Sequence, residues 1–166
     1  MSNCIAQTCS AALLAFAMLL SQAPHAGAEG VKPAVSASGV IATNSAYGVE
    51  ETVERLKKDI QAKGITFFQE IDQAALAAKA GIELRPSVLL IFGNPPLGTQ
   101  FITANPQAGL DWPVRMLVYR DQAGAVWVAW TDFDWIAKRH GVATRDAQFH
   151  MATQVAASIA SSVAAH

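Results

Sequence analysis

The segment 87–92 (SVLLIF) is a continuous apolar run between Pro86 and Gly93, and it limits the folds open to this chain. A run of this length, ended by a proline and a glycine, is typical of a buried strand and is short for a buried helix. Such a strand is apolar on both sides, as strands inside a sheet often are. We therefore predict a buried central strand here.

Helical and strand patterns surround this segment. Apolar residues at spacings of four, three and four predict a helix that ends at Gly64, and they are Val49, Val53, Leu56 and Ile60. Further helices are predicted for residues 74–80, for 134–140 and from Arg145 to the C-terminus. Strands are predicted for residues 40–47, 65–71, 114–120 and 125–131, the last two joined by a hairpin turn.

The order of these elements indicates an α+β fold. Strands outnumber crossover helices in the middle of the chain, which argues against a doubly wound parallel sheet. We expect an antiparallel sheet with helices packed on one face and an additional C-terminal helix. On the last strand, Trp127 and Trp130 are three positions apart, so they should face opposite sides of the sheet.

The composition excludes several classes of protein. Acidic and basic residues nearly cancel, 13 against 12, so no basic surface for nucleic acid or an anionic membrane is expected. With 52% hydrophobic and 15% charged residues, the chain is not intrinsically disordered.

The N-terminus is predicted to be a signal peptide, residues 1–28. Ten apolar residues, 11–20, are too few to span a bilayer but suit the apolar core of a signal, and Ala26-Gly27-Ala28 matches the cleavage pattern before Glu29. The alternative is a buried N-terminal helix. Residues 29–39 are interpreted as a flexible arm, 40–142 as the domain and 143–166 as the C-terminal helix. We expect a periplasmic or secreted protein without a stable membrane anchor after signal removal.

The segment between the third and fourth strands, Gly93 to Pro113, contains no predicted strand and is interpreted as a functional loop or a dimer element. The spacing of Gly93, Gly98 and Thr99 is superficially that of a phosphate-binding loop. The required lysine before the threonine is missing, however, and Pro95 and Pro96 have no N–H to offer a phosphate.

Several motifs resemble one known family, domain-of-unknown-function family 302. They are Ala80-Gly81-Ile82-Glu83-Leu84-Arg85-Pro86, Leu90-Ile91-Phe92-Gly93-Asn94-Pro95, Gly98-Thr99, Asp111-Trp112-Pro113, Val118-Tyr119, Val126-Trp127-Val128 and Arg139-His140-Gly141. The resemblance covers residues 40–142 and implies helices on an antiparallel sheet in β-α-β4-α order, as in TATA-box-binding-protein-like folds. One departure is Gln73, where relatives often carry a histidine. The helix after Val142 lies outside the resemblance.

Individual polar residues favour structural roles. No HxH, HExxH or CxxC spacing is present, so neither a metal nor another cofactor is expected. His140 is interpreted as a helix cap, Asp132 as an N-cap with Asp134 in the first turn, and Asp111 as a turn residue. Glu83 and Arg85 are expected to form a salt bridge, with a substrate clamp as the alternative.

The function favoured by the sequence is a ligand- or partner-binding accessory module. Its expected partners are a second copy of the chain and a small ligand or another protein. The candidate binding residues are Glu83, Arg85, Gly93, Asn94, Pro95, Gly98, Thr99, Asp111 and Pro113. Two alternatives stay open: a small periplasmic enzyme using Glu83, Arg85, Asn94 and Asp111, and a structural envelope protein without a ligand.

Overall fold

The structure, a computed structural model, describes residues 35–165; the predicted signal peptide, the first part of the predicted arm and His166 lie outside them. The strands are β1 (Val40–Asn44), β2 (Thr66–Asp72), β3 (Ser87–Gly93), β4 (Val114–Arg120) and β5 (Val126–Thr131). The α-helices are α1 (Val49–Ala62), α2 (Gln73–Lys79), α3 (Pro95–Ala104), α4 (Phe133–Arg139) and α5 (Asp146–Ser161), and a 3₁₀ helix spans Pro106–Leu110.

The five strands form one antiparallel sheet in the order β1-β5-β4-β3-β2. The predicted buried strand, β3, lies inside the sheet between β2 and β4, and β4 is the middle strand. The α+β fold class predicted from the sequence is therefore confirmed.

One face of the sheet carries the core. Leu90, Met116 and Val128 project from this face and are fully buried beneath α1 and α5. Leu56 and Ile60 of α1 are fully buried in the same core. Burying a side chain of this size contributes about 2 kcal/mol. On the same side, the ring of Phe101 in α3 stacks on Phe149 in α5 with centroids 4.1 Å apart, so α3 and α5 share this core.

The opposite face of the sheet, called the open face below, is partly exposed. The register of the strands places these side chains on it: Val40, Ala42, Asn44, Thr66, Gln69, Ile71, Ser87, Leu89, Ile91, Arg115, Leu117, Tyr119, Trp127, Ala129 and Thr131. Trp130 is buried on the core side while Trp127 lies on the open face, as the sequence predicts.

The segment predicted as a loop, 93–113, is mostly helical, which corrects that interpretation. Asn94 caps α3 through a hydrogen bond from the Leu97 N–H to its side-chain oxygen (3.3 Å), and Pro95 and Pro96 occupy the first turn. Proline is tolerated there because these N–H groups have no partner within a helix. Prolines and glycines such as Gly98 usually indicate loops, and for this reason the sequence pattern did not predict α3.

The ends of the domain also differ from the prediction. β1 ends at Asn44 rather than at residue 47. The Ala46 N–H donates to the carbonyl of Val163 (2.9 Å), and the Ala165 N–H donates to that of Asn44 (3.1 Å). The residues after α5 therefore pair with the chain leaving β1, and this pairing ties α5, the predicted C-terminal helix, to the sheet.

Candidate functional site

Asp111 is the centre of the most polar buried cluster that we find in the described residues. It follows the 3₁₀ helix directly and precedes Trp112-Pro113 and β4. Its side chain is 4% exposed. A carboxylate this deeply buried needs hydrogen-bond donors, and three side chains supply them.

The shortest of these contacts is with His140. Nε2 of His140 lies 2.6 Å from Oδ2 of Asp111, and the imidazole is 5% exposed. An ionised carboxylate has no proton to give, so Nε2 donates in this pair. His140 occupies the C-cap position of α4, as the sequence analysis expected, but its side chain turns to Asp111 instead of serving only the helix end.

Two arginines share the other oxygen of Asp111. Oδ1 accepts from Nη2 of Arg115 at 3.1 Å and from Nη1 of Arg139 at 3.2 Å. Nη2 of Arg115 also donates to the carbonyl of Leu110 (2.7 Å). Each guanidinium group thus contacts Asp111 through one nitrogen. The side chains are nevertheless half-exposed, 50% for Arg115 and 45% for Arg139.

A further hydrogen bond holds the two halves of the cluster together. Nδ2 of Asn105 donates to the carbonyl of His140 (2.7 Å), while its Oδ1 accepts from the N–H of Gln107 (2.9 Å). Asn105 thus links the start of the 3₁₀ helix to the end of α4. The cluster is fixed by three separate segments of the chain.

The charges in this cluster do not cancel. The single negative charge of Asp111 faces the positive charges of Arg115 and Arg139, which leaves a net charge of +1 even with a neutral imidazole. Because both arginine nitrogens touch the same oxygen, they lie within about 6 Å of each other. The cavity beside Asp111, lined also by Thr131, Phe133 and Ile136, measures about 10 Å³, so nothing larger than one water fits inside it.

The glycines of the predicted binding segment make room for an indole. A Cβ at Gly98 would overlap Nε1 of Trp112, and one at Gly93 would lie 3.1 Å from the same atom. The ring of Phe68 meets Trp112 edge to face, with centroids 6.2 Å apart. The spacing that resembles a phosphate-binding loop is therefore explained by the packing of Trp112.

The remaining residues of that segment serve the local backbone. Asn94 is the N-cap of α3, and the Thr99 hydroxyl donates to the carbonyl of Pro95 (2.7 Å). Pro113 follows Trp112 in a cis peptide bond at the entrance to β4.

Glu83 and Arg85 lie far from Asp111. They are exposed in the connection before β3, whereas Asn94 follows the other end of that strand, about 20 Å away along a seven-residue strand. The register of β3 with β4 places Asp111 at the Asn94 end. The structure shows no ion pair between Glu83 and Arg85, so the predicted salt bridge is wrong. Gln73 also lies at the distant end, where its Oε1 accepts from the Ser87 hydroxyl (2.8 Å).

Sequence reasoning missed the partnership of Asp111 with Arg139 and His140. Both motifs, Asp111-Trp112-Pro113 and Arg139-His140-Gly141, carry the family resemblance, and that was the available signal. Their contact depends on α4 returning to the start of β4, which local patterns do not encode. Within residues 35–165, no three His, Cys, Asp or Glu side chains are placed to hold a metal ion.

One carboxylate outside this cluster has a shifted pKa. The indole N–H of Trp127 donates to Oδ2 of Asp121 (2.8 Å) and is the main reason that the pKa of Asp121 is lowered. The backbone N–H of Ala125 (2.9 Å to Oδ1) lowers this pKa further. Asp121 thus joins the β4–β5 turn to the open face.

Comparison with known proteins identifies the family. The model of the family described as "Domain of unknown function DUF302" matches residues 41–165, and the chain belongs to this family. The match includes α5, which corrects the narrower extent of the sequence resemblance. None of the helices in the described part of the chain is long and apolar enough to cross a membrane.

The chain is also similar to curated bacterial proteins. It is 38% identical over 105 residues, 63% of its length, to "Fluoride-specific ion channel FluC 1" of Brucella suis biovar 1 (strain 1330) and covers 41% of that protein. The same identity and length hold for "Fluoride-specific ion channel FluC 2" of Brucella melitensis biotype 1 (strain ATCC 23456 / CCUG 17765 / NCTC 10094 / 16M), of which 39% is covered. The chain thus spans about two fifths of the length of these relatives.

A solved structure has the same fold. The crystal structure of an uncharacterized conserved protein DUF302 from Bacillus stearothermophilus superposes with a TM-score of 0.70 at 16% identity. The superposition covers 76% of this chain and 99% of that one.

Proposed function

We propose that this protein is an accessory module that binds a small anionic group through Arg115 and Arg139. The observation that carries the proposal is the sharing of one carboxylate oxygen by two half-exposed guanidinium groups. Asp111 and His140 lie beneath the site as positioning residues.

The charge of the cluster favours an anion. Two guanidinium groups whose nitrogens lie within about 6 Å of each other repel, and Asp111 offsets only one of their charges. An anion lying between them removes the remaining repulsion and gains charge-assisted hydrogen bonds.

The donors still available favour a carboxylate or a phosphate. A guanidinium has five N–H groups, and those of Nε and Nη1 in Arg115, like those of Nε and Nη2 in Arg139, have no acceptor within residues 35–165. Planar forks of this kind bind oxyanions in a bidentate manner. Because the cavity beside Asp111 is so small, the anionic group binds at the surface and belongs to a ligand that stays largely outside.

Titration calorimetry of the full chain with sodium phosphate and sodium acetate tests the proposal. We expect saturable binding of at least one of these salts at low ionic strength, weakened at least tenfold in Arg139→Gln and in Arg115→Gln. Arg55→Gln is the matched control because Arg55 is also 45% exposed and pairs with a carboxylate, that of Glu51, on α1. Its binding should equal that of the unaltered protein.

Two outcomes contradict the proposal. One is no binding of either anion, and the other is equal binding by Arg139→Gln and the unaltered chain. Either result combined with a lower melting temperature in Arg139→Gln would favour the alternative of a structural protein whose cluster only holds α4 to β4.

Fluoride is a separate arm of the same titration. The reason to include it is the similarity to the Brucella proteins named as fluoride-specific ion channels. Binding of fluoride in preference to phosphate and acetate would assign the module to fluoride handling and would contradict an oxyanion ligand.

The enzyme alternative receives less support. Its four proposed residues divide between the two ends of β3, with Glu83 and Arg85 at one end and Asn94 and Asp111 at the other. One substrate pocket cannot use all four.

We also propose that the module is exported, on the evidence of residues 1–28 alone. N-terminal sequencing of the protein recovered from its own cells should begin at Glu29. A sequence beginning at Met1 would contradict export by signal cleavage.

A further inference from the structure

We infer that the open face of the sheet binds the open face of a second copy of this chain, giving a twofold symmetric dimer with Leu117 at its centre. It does not rest on the proposed anion binding; it concerns the face of the sheet that the core helices leave free, and Arg115 of the anion site lies at one end of this face.

An apolar row crosses the whole open face. The register aligns one residue from each strand, in the order Ala42, Ala129, Leu117, Leu89 and Ile71. Leu117, Leu89 and Ile71 are each partly exposed. Four helices, α1, α3, α4 and α5, belong to the other side of the sheet, and α2, beside the β2–β3 end, has no buried residue.

The scarcity of charged residues on this face favours a second copy of the chain over a highly charged partner. Among the described residues that the register places on it, Arg115 is the only charged one; it lies near the start of β4, where its guanidinium pairs with Asp111. A highly charged partner would find at most this one complementary charge, whereas the uncharged side chains around Leu117 can pack against a copy of themselves.

The area is adequate for a dimer. Five strands about 4.8 Å apart and about six residues long give a face of about 24 Å by 20 Å. Two such faces together offer about 1,000 Å², which is the minimum expected of a specific interface. Sheets packed face to face interdigitate their side chains at a separation of about 10 Å.

The position of Leu117 fixes the centre of the assembly. β4 is the middle strand of the sheet, and Leu117 is the middle residue of the seven in β4. In a twofold interface the same patch is used by both copies, so an axis through the centre of the face brings Leu117 against Leu117 of the other copy.

Sedimentation velocity of the full chain tests the inference. We expect a species of twice the chain mass for the unaltered protein and a monomer for Leu117→Glu and for Leu117→Lys, each measured alone. Mixing these two variants should restore the dimer because a glutamate then faces a lysine. Met151→Glu is the matched control: Met151 is 53% exposed on α5, on the other side of the molecule, and its substitution should leave the dimer intact.

A monomeric unaltered chain would overturn the inference, and so would a folded Leu117→Glu variant that remains dimeric. If the charged variants do not fold, Leu117→Cys combined with Cys4→Ser and Cys9→Ser provides the second measurement. Mild oxidation should cross-link this variant into a dimer, while Met151→Cys in the same background should stay uncross-linked. Failure of Leu117→Cys to cross-link would overturn the inference.

Discussion

Nε2 of His140 and Oδ2 of Asp111 are 2.6 Å apart, although 29 positions separate the two residues in the chain. Removing the carboxylate leaves a buried imidazole N–H without an acceptor and two arginines without their common counter-charge. We expect Asp111→Ala to lower the free energy of unfolding by about 3 kcal/mol, measured by urea denaturation.

A double-mutant cycle separates this pair from other effects. His140→Ala and Asp111→Ala should each lower the free energy of unfolding. The loss in the double variant should be smaller than the sum of the two single losses, since the second substitution removes a group already without its partner. Additive losses would show that the two side chains contribute independently and would contradict a coupled pair.

Gly98 is predicted to tolerate no larger residue. In Gly98→Ala the new methyl group would overlap the indole of Trp112, so we expect a loss of at least about 2 kcal/mol in the free energy of unfolding. Gly109→Ala is the control, because its Cβ would meet Cδ1 of Ile102 at an ordinary distance of 3.8 Å. Equal stabilities for the two variants would refute the packing role of Gly98.

The pH dependence of stability should depend on Asp121. Its pKa is lowered in the folded protein from the ordinary value of 3.8, mainly by the hydrogen bond from Trp127. The stabilisation from the ionised carboxylate is therefore complete above pH 3.8 and is lost as the pH falls through the lower folded value.

We expect the melting temperatures of the unaltered protein and Asp121→Asn to differ by a constant amount at neutral pH and to converge below pH 3.8. Trp127→Phe removes the donor but keeps the carboxylate, so its melting temperature should approach that of the unaltered protein over the same range. A difference that persists unchanged in acid would assign the effect to something other than this ionisation.

The sequence was sufficient to predict the fold class and most of the elements. The strands and α1 follow from periodicity, since residues such as Val53, Leu56 and Ile60 repeat at helical spacing. Asp132 was predicted as an N-cap and accepts a hydrogen bond from the Trp135 N–H (3.1 Å). These features depend on neighbours within a few positions, and local patterns record them.

The candidate site was predicted less completely. Asp111 was recognised, but Arg139 and His140 reach it only because α4 folds back to the start of β4. The helix α3 was missed because Pro95, Pro96 and Gly98 usually interrupt helices. Here two of them lie in the first turn, where proline is acceptable, and the third is required by Trp112. Tertiary packing determined both outcomes.

The position of β1 at the edge, beside β5, has a consequence for the folding pathway. Val40 pairs with Thr131, about 90 positions along the chain, whereas Arg120 and Val126 of the β4–β5 hairpin are six positions apart. The loop between β1 and β5 is the longer one, and closing it loses more chain entropy before the contacts that stabilise the pairing can form. We therefore expect β4 and β5 to pair early and β1 to dock late, so that the edge of β5 stays open to non-native pairing until the slowest step of folding is complete.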